Sequence, residues 1–169
     1  LSGTGAEFSA TGTKVVIRLI SDDKWQEGEE NQPRVAVYVD EVRILDVMLD
    51  EPEKLLTVFE SETSETHVIR IVKLSEAPMS TCGVADIQVE GEISPTPAAG
   101  RLIEFVGDSI TCGYGVEDED RDHHFLTSTE DVTKAYAYKT AKALGADYSM
   151  VSFSGYGIVS GYTGTGEKV

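Results

Sequence analysis

The chain changes rhythm near residue 95, and that change limits the folds open to it more than any other feature. Before it, short β-like runs follow one another: Lys14–Ile20, Arg34–Val39, Val42–Val47, Leu55–Phe59, His67–Leu74 and Val84–Glu90. In the last of these Ala85, Ile87 and Val89 alternate with Asp86, Gln88 and Glu90. Strict period two puts one face of a strand on a core and the other in water. Turn formers and charges separate the runs: Asp22-Asp23, Gly28 to Pro33, Asp50-Glu51-Pro52 and Ser61 to Glu65. No segment here keeps a helical period over ten residues. Six or more short strands without helices predict a two-sheet β-sandwich over residues 1–94.

Ile93-Ser-Pro-Thr-Pro-Ala-Ala-Gly100 closes that pattern. Proline fixes φ and withholds a donor, so the stretch is not expected to continue a sheet, and residues 95–100 read as a stiff linker. Beyond it the order becomes strand, loop, helix, strand. Arg101–Val106 is an apolar run entering Gly107. Thr127 and Glu130 have the spacing of a capping box. Val132, Tyr136, Ala137, Ala141 and Leu144 then share one arc, with Lys134, Lys139 and Lys142 largely off it, and Gly145 suits the C′ position. Asp147–Ser154 is the next strand. This is a β-α-β unit of a parallel sheet. The fold class expected is therefore β followed by α/β. Residues 101–169 supply two parallel strands where a sheet usually has about four to six, so the second domain is expected to be incomplete.

Charge narrows the partners. The chain carries 14 Lys+Arg against 30 Asp+Glu, a net charge of −16. That balance repels phosphate backbones and no basic stripe offsets it, which disfavours nucleic acid. The longest apolar run, Val35–Val39, is five residues, far short of the roughly 20 of a membrane helix, so no membrane partner is expected. Cys82 and Cys112 form no disulfide framework and no metal set; two unpaired core thiols are the expectation, with a single bridge the alternative. The chain opens on Leu-Ser-Gly without a signal peptide, so any export signal is expected to have been removed or never included. The compartment is not written in the residues.

Chemistry concentrates in Arg101-Leu-Ile-Glu-Phe-Val-Gly-Asp-Ser-Ile-Thr-Cys-Gly-Tyr-Gly115. A strand delivers Gly107-Asp108-Ser109 to the carboxyl end of a parallel sheet, where ligands bind in such folds. Gly107 permits a tight turn there. Ser109 at that tip can serve as a nucleophile, and its N–H as an oxyanion donor. Three residues alone would equally make a plain strand-to-helix turn.

The longer run decides more. Gly-Asp-Ser-Ile-Thr followed by Gly-Tyr-Gly, directly after a strand, resembles block I of the SGNH (GDSL) hydrolases, and more closely carbohydrate esterase family two. Further matching residues are Val39-Asp40 in a strand, His67–Ala77, Thr127–Asp131, and Ser152-Phe-Ser-Gly-Tyr-Gly-Ile158. The resemblance implies a jelly-roll sandwich ahead of an SGNH-type α/β/α domain. It implies Ser109 as nucleophile and first oxyanion donor, Gly155 as the second donor, and Asp108 as a support of the loop. Tyr114 and Tyr156, beside the expected site, are candidate substrate contacts. The implied activity is removal of O-acetyl groups from polysaccharides such as xylan or glucomannan, by a secreted protein, with no metal or organic cofactor. Runner-up readings are a non-catalytic carbohydrate-binding module, or an SGNH lipase or thioesterase.

Two parts that the resemblance implies are not found. The third oxyanion donor is an Asn, yet Asn31 is the only one and lies in a sandwich loop. The base is a His, and the candidates are His67, inside a β-run, and His123 and His124, in a loop. Losing a base costs roughly 10⁴–10⁶ in kcat, so residues 1–169 alone are expected to be inactive or nearly so. A second polypeptide could supply the missing groups.

Other signals fail their templates. An EF-hand starting at Asp118 has His123 at position six and Thr129 at position twelve. Gly161–Lys168 is a P-loop lookalike with Glu167 where Lys belongs, and Gly155-x-Gly157-x-x-Ser160 lacks the third glycine of a dinucleotide loop. No Gly-x-Ser-x-Gly elbow occurs. Trp25 and Tyr38 are read as packing residues rather than sugar platforms.

Overall fold

The computed structural model of the chain describes residues 1–159 and Gly161. Five strands, β1 (Gly5–Ser21), β2 (Arg34–Val39), β3 (Val42–Met48), β4 (Glu53–Lys73) and β5 (Cys82–Pro95), pair antiparallel in the order β3-β2-β4-β1-β5. The β2–β3 hairpin turns on Asp40 and Glu41, both at positive φ (49° and 67°), as a two-residue turn matching strand twist requires. Asp40, read from the sequence as strand, is therefore turn; its carboxylate takes the Val68 N–H and pairs with His67.

The buried positions explain how one hydrogen-bonded sheet makes a sandwich. In β1 the buried apolar residues are Phe8 and Ala10, then Val15, Ile17 and Leu19; in β4 they are Leu56 and Val58, then Ile69 and Ile71. Odd and even positions exchange roles midway along each strand. On a flat strand the two sets would face opposite sides, yet all nine belong to one core. The switch occurs where the β1–β4 register steps from Gly12–Glu65 to Lys14–Glu60, leaving residues 61–64 bulging opposite Thr13. Such a bulge bends and twists the ladder, so the sheet folds over and both halves line the same interior. The bend needs close backbones. A Cβ on Gly12 would sit 2.2 Å from the Glu90 carbonyl, and one on Gly91, its partner in β5, 2.0 Å from that of Thr11.

Three further expectations change. Leu55–Phe59 and His67–Leu74 are halves of one strand, because polar Ser61–Glu65 forms its bend instead of a connecting loop. Pairing also runs into the proline stretch: Ile93, Ser94 and Pro95 stand opposite Ala10, Ser9 and Phe8. β5 is an edge strand, where a missing donor is tolerated. The third concerns the helix. It spans α2 (Tyr136–Ala143), after short 3₁₀ turns at Thr127–Thr129 and Val132–Lys134. The capping box does not form, since Thr127 Oγ1 donates to the Glu29 carbonyl and Glu130 accepts from the Glu76 amide. Gly145 does follow the helix at φ 58°.

Strands β6 (Leu102–Gly107) and β7 (Asp147–Ser152) pair in parallel, from Leu102–Asp147 to Gly107–Ser152, with α1 (Ser109–Cys112) after β6. This unit packs on the outer face of the sandwich. Ala36, Tyr38, Val72 and Leu74 form a second core with Val132, Ala137, Tyr138 and Met150. Arg43 crosses the joint to Asp131 (2.8 Å), and Arg70 lies over the rings of Tyr38 and Tyr138 (4.8 and 5.9 Å). Trp25 is half-buried in the 3₁₀ segment Asp23–Glu30, whereas Tyr38 is core. Both cysteines are free, Cys112 buried and Cys82 half-buried. Among the described residues no helix is long and apolar enough to cross a membrane.

Candidate active site

Parallel pairing that ends on Gly107 and Ser152 brings the two following loops to one edge of the β6–β7 sheet. The Phe153 N–H donates to the Gly107 carbonyl at 3.2 Å and ties those loops together. On the β6 side, Gly107 sits where a Cβ would meet Thr111 Oγ1 at 2.1 Å, so a side chain there would displace the turn. Asp108 is the extended N-cap of α1, its Oδ1 accepting the Ile110 N–H at 3.0 Å and its carbonyl accepting from Thr111 and Cys112. Ser109 opens the helix, half-buried, its carbonyl accepting the N–H groups of Gly113 and Tyr114.

On the β7 side, Gly155 occupies a turn at φ 83°, closed by the Tyr156 N–H on the Phe153 carbonyl. A cavity of about 290 Å³ opens between the two loops, lined by Gly107, Asp108, Ile110, Thr111, Tyr136 and Tyr156 among others. Tyr114 instead stacks on Phe125, ring centroids 3.9 Å apart, and does not line that cavity. A larger groove of about 740 Å³, bordered by Arg70, Pro97, Lys142 and Tyr148, lies at the start of β7 and contains none of the candidate residues.

None of the three histidines hydrogen-bonds to Ser109 among the described residues. His67 pairs with Asp40 at 2.6 Å, exposed His123 with Asp118 at 3.0 Å, and exposed His124 with Glu30 at 3.1 Å. Asn31 donates to Glu27 beside the 3₁₀ segment. The acidic loop after Asp118 holds itself by side-chain turns, Asp118 to the Asp120 N–H and Asp120 to the Asp122 N–H. Ser160 and residues 162–168 of the two glycine-loop lookalikes lie outside the described residues.

Sequence reasoning missed the acids behind the site. Glu76, in the loop leaving β4, and Glu130 are fully buried. Glu76 Oε2 accepts the Ser154 N–H at 2.8 Å and the Cys112 thiol at 3.8 Å; Glu130 Oε2 accepts the Glu76 N–H at 3.0 Å. Among the described residues their other oxygens meet no donor. Burial, then the nearby Glu76 charge, pushes the Glu130 carboxyl up to about 8. Burial pushes the Cys112 thiol up to about 12 and holds the Lys73 ammonium below its usual value, where it donates to the carbonyls of Ser75 and Glu76. Ligand atoms of Glu76, Cys112 and Glu130 fall within 4.8 Å of one another. The signal for these acids lay in the stretches 67–77 and 127–131, which carried the resemblance without a role attached.

Residues 1–97 match the family model described as carbohydrate esterase 2 N-terminal. An acetylxylan esterase / glucomannan deacetylase of Cellvibrio japonicus is 34% identical over 123 residues, covering 70% of this chain and 34% of the relative. The cellulase/esterase CelE of Acetivibrio thermocellus is 42% identical over 64 residues, 38% of this chain and 8% of the relative. Among solved structures, an acetyl xylan esterase from the rumen bacterium Butyrivibrio proteoclasticus superposes with a TM-score of 0.84 at 30% identity, over 95% of this chain and 43% of that one. A family two carbohydrate esterase from Clostridium thermocellum, in complex with cellohexaose, gives 0.85 at 24% identity over 97% and 49%, a likeness of fold. The chain thus spans well under half the length of these curated relatives.

Proposed function

The chain belongs to carbohydrate esterase family 2, and we propose that the whole protein is a serine esterase that removes O-acetyl groups from plant cell-wall polysaccharides such as xylan or glucomannan. The observation that supports it is the β6–β7 pairing, which sets the loops of Ser109 and Gly155 side by side at one sheet edge, next to the cavity lined by Tyr156. In this reading the chain as far as Pro95, the end of β5, is a jelly-roll sandwich, 96–100 a linker, and 101–169 part of an SGNH hydrolase domain.

Ser109 Oγ attacks the acetyl carbonyl carbon and passes its proton to a His base. The tetrahedral oxyanion is held by the N–H groups of Ser109 and Gly155, each such donor being worth on the order of 10²–10³ in rate. Collapse releases the sugar hydroxyl, which takes the proton from the imidazole. Water, deprotonated by the same base, attacks the acetyl-Ser109 ester and frees acetate. The route uses no metal or organic cofactor. Base and third donor come from outside these 169 residues, along the same polypeptide or from a partner. Its substrate places the protein outside the cell.

Acetate release from acetylated xylan by the full-length protein tests this. Ser109→Ala should lower kcat by about 10⁴ or more, and residues 1–169 alone should hydrolyse p-nitrophenyl acetate near background. Full-length turnover that survives Ser109→Ala would overturn the assignment. Binding of unacetylated glycans without acetate release would mark a non-catalytic module, and preference for long acyl chains a lipase.

A further inference from the structure

We propose that Glu76 is a positioning residue for this esterase: from the sandwich side of the joint, its carboxyl fixes the turn that aims the Gly155 amide. The inference rests on the function proposed above. Glu76 Oε2 accepts the N–H of Ser154, the residue before Gly155, at 2.8 Å. That bond sets the Phe153–Ser154 peptide plane. The Tyr156 N–H on the Phe153 carbonyl closes the far side of the turn at 3.2 Å. With both flanks held, little freedom remains in where the intervening amide points. A glycine turn without those anchors would sample many directions.

Glu76 is itself held from two sides. Its N–H donates to Glu130 Oε2 at 3.0 Å, and its carbonyl accepts from Lys73 Nζ at 3.2 Å. The side chain therefore leaves a fixed backbone and reaches a fixed target. A fully buried carboxyl whose Oε1 meets no donor among the described residues is a costly way to join two layers, and an apolar residue of similar volume would usually do so at least as well. What the carboxyl adds is a directional acceptor on one amide. Misplacing a catalytic group by about 1 Å costs on the order of 10²-fold in rate, enough for such an acceptor to matter.

Two variants of the full-length protein separate positioning from packing. Glu76→Gln keeps an oxygen for the Ser154 N–H at nearly unchanged volume. Glu76→Met fills the same volume with no acceptor. With p-nitrophenyl acetate, Gln should retain kcat within about threefold, whereas Met should lose about 10- to 100-fold in kcat at unchanged KM, with a wild-type circular dichroism spectrum. If Met does not fold, Glu76→Asp, one methylene short of the amide, takes its place with the same expected loss. Wild-type kcat in the acceptor-deficient variant, or an equal loss in Gln, overturns the positioning role. Ser109→Ala run alongside keeps the two claims apart: activity surviving it defeats the esterase assignment, whereas a silent Glu76 change beside a dead Ser109→Ala defeats only this inference.

Discussion

Replacing Glu130 with Gln should change how the stability of the fold depends on pH. The carboxyl is fully buried, and burial together with the Glu76 charge raises it from 4.5 to about 8; Lys73 and the Cys112 thiol face the same cluster. Below about pH 4.5 both folded and unfolded chains hold this proton and the full stability is present. Between that value and about 8 the unfolded chain has released the proton while the folded chain keeps it. Stability therefore falls as pH rises across this window. About 3.5 pH units at about 1.4 kcal/mol each give a loss on the order of 5 kcal/mol by pH 8. Gln keeps the acceptor for the Glu76 N–H without the proton linkage. Urea midpoints and m-values for both proteins, measured from about pH 5 to pH 8, give the difference in stability, in which the other acids cancel. Gln should gain on the wild type steadily as pH rises. A difference that stays flat over that range would refute both the buried-acid assignment and its sign.

Arg43→Met should cost about 3–5 kcal/mol near neutral pH, because it strands fully buried Asp131, read by thermal or urea unfolding. Burial alone would raise that carboxyl, but the bonds to Arg43 and Thr133 hold it below the usual range. The stabilisation that this carboxylate gives the wild type should thus be fully present above about pH 4 and be lost as pH falls through the depressed folded value. Gly91→Ala should cost about 3 kcal/mol or more in urea unfolding, since its Cβ would sit 2.0 Å from the Thr11 carbonyl at a backbone φ of 152°.

Much of the local structure was legible. Alternation such as Ile87-Gln88-Val89-Glu90 is a period that an extended, half-buried strand satisfies, and β5 forms there, although Ala85 before it is exposed beside a register shift. Gly107-Asp108-Ser109 after an apolar run marked a strand-to-loop turn, and Asp108 caps the short helix by its own side chain. Thr127 and Glu130 misled for the same reason that local patterns inform. Their spacing is what a capping box needs, yet partners distant in sequence, Glu29 and Glu76, took both groups. Polar Ser61–Glu65 likewise has turn chemistry, but its neighbours pair with β1, so it became the bend of a long strand.

Residue order alone, then, determined which segments are extended, where the parallel unit begins and which serine heads its loop, because each depends on neighbours a few positions apart. Tertiary structure decided the rest. It chose the bend that sends opposite parities of β1 and β4 into one core, the burial of Glu76 and Glu130 against each other, and the bond from Glu76 to the Ser154 turn. Those depend on groups tens of residues apart meeting where water is excluded, and no short-range period encodes such a meeting.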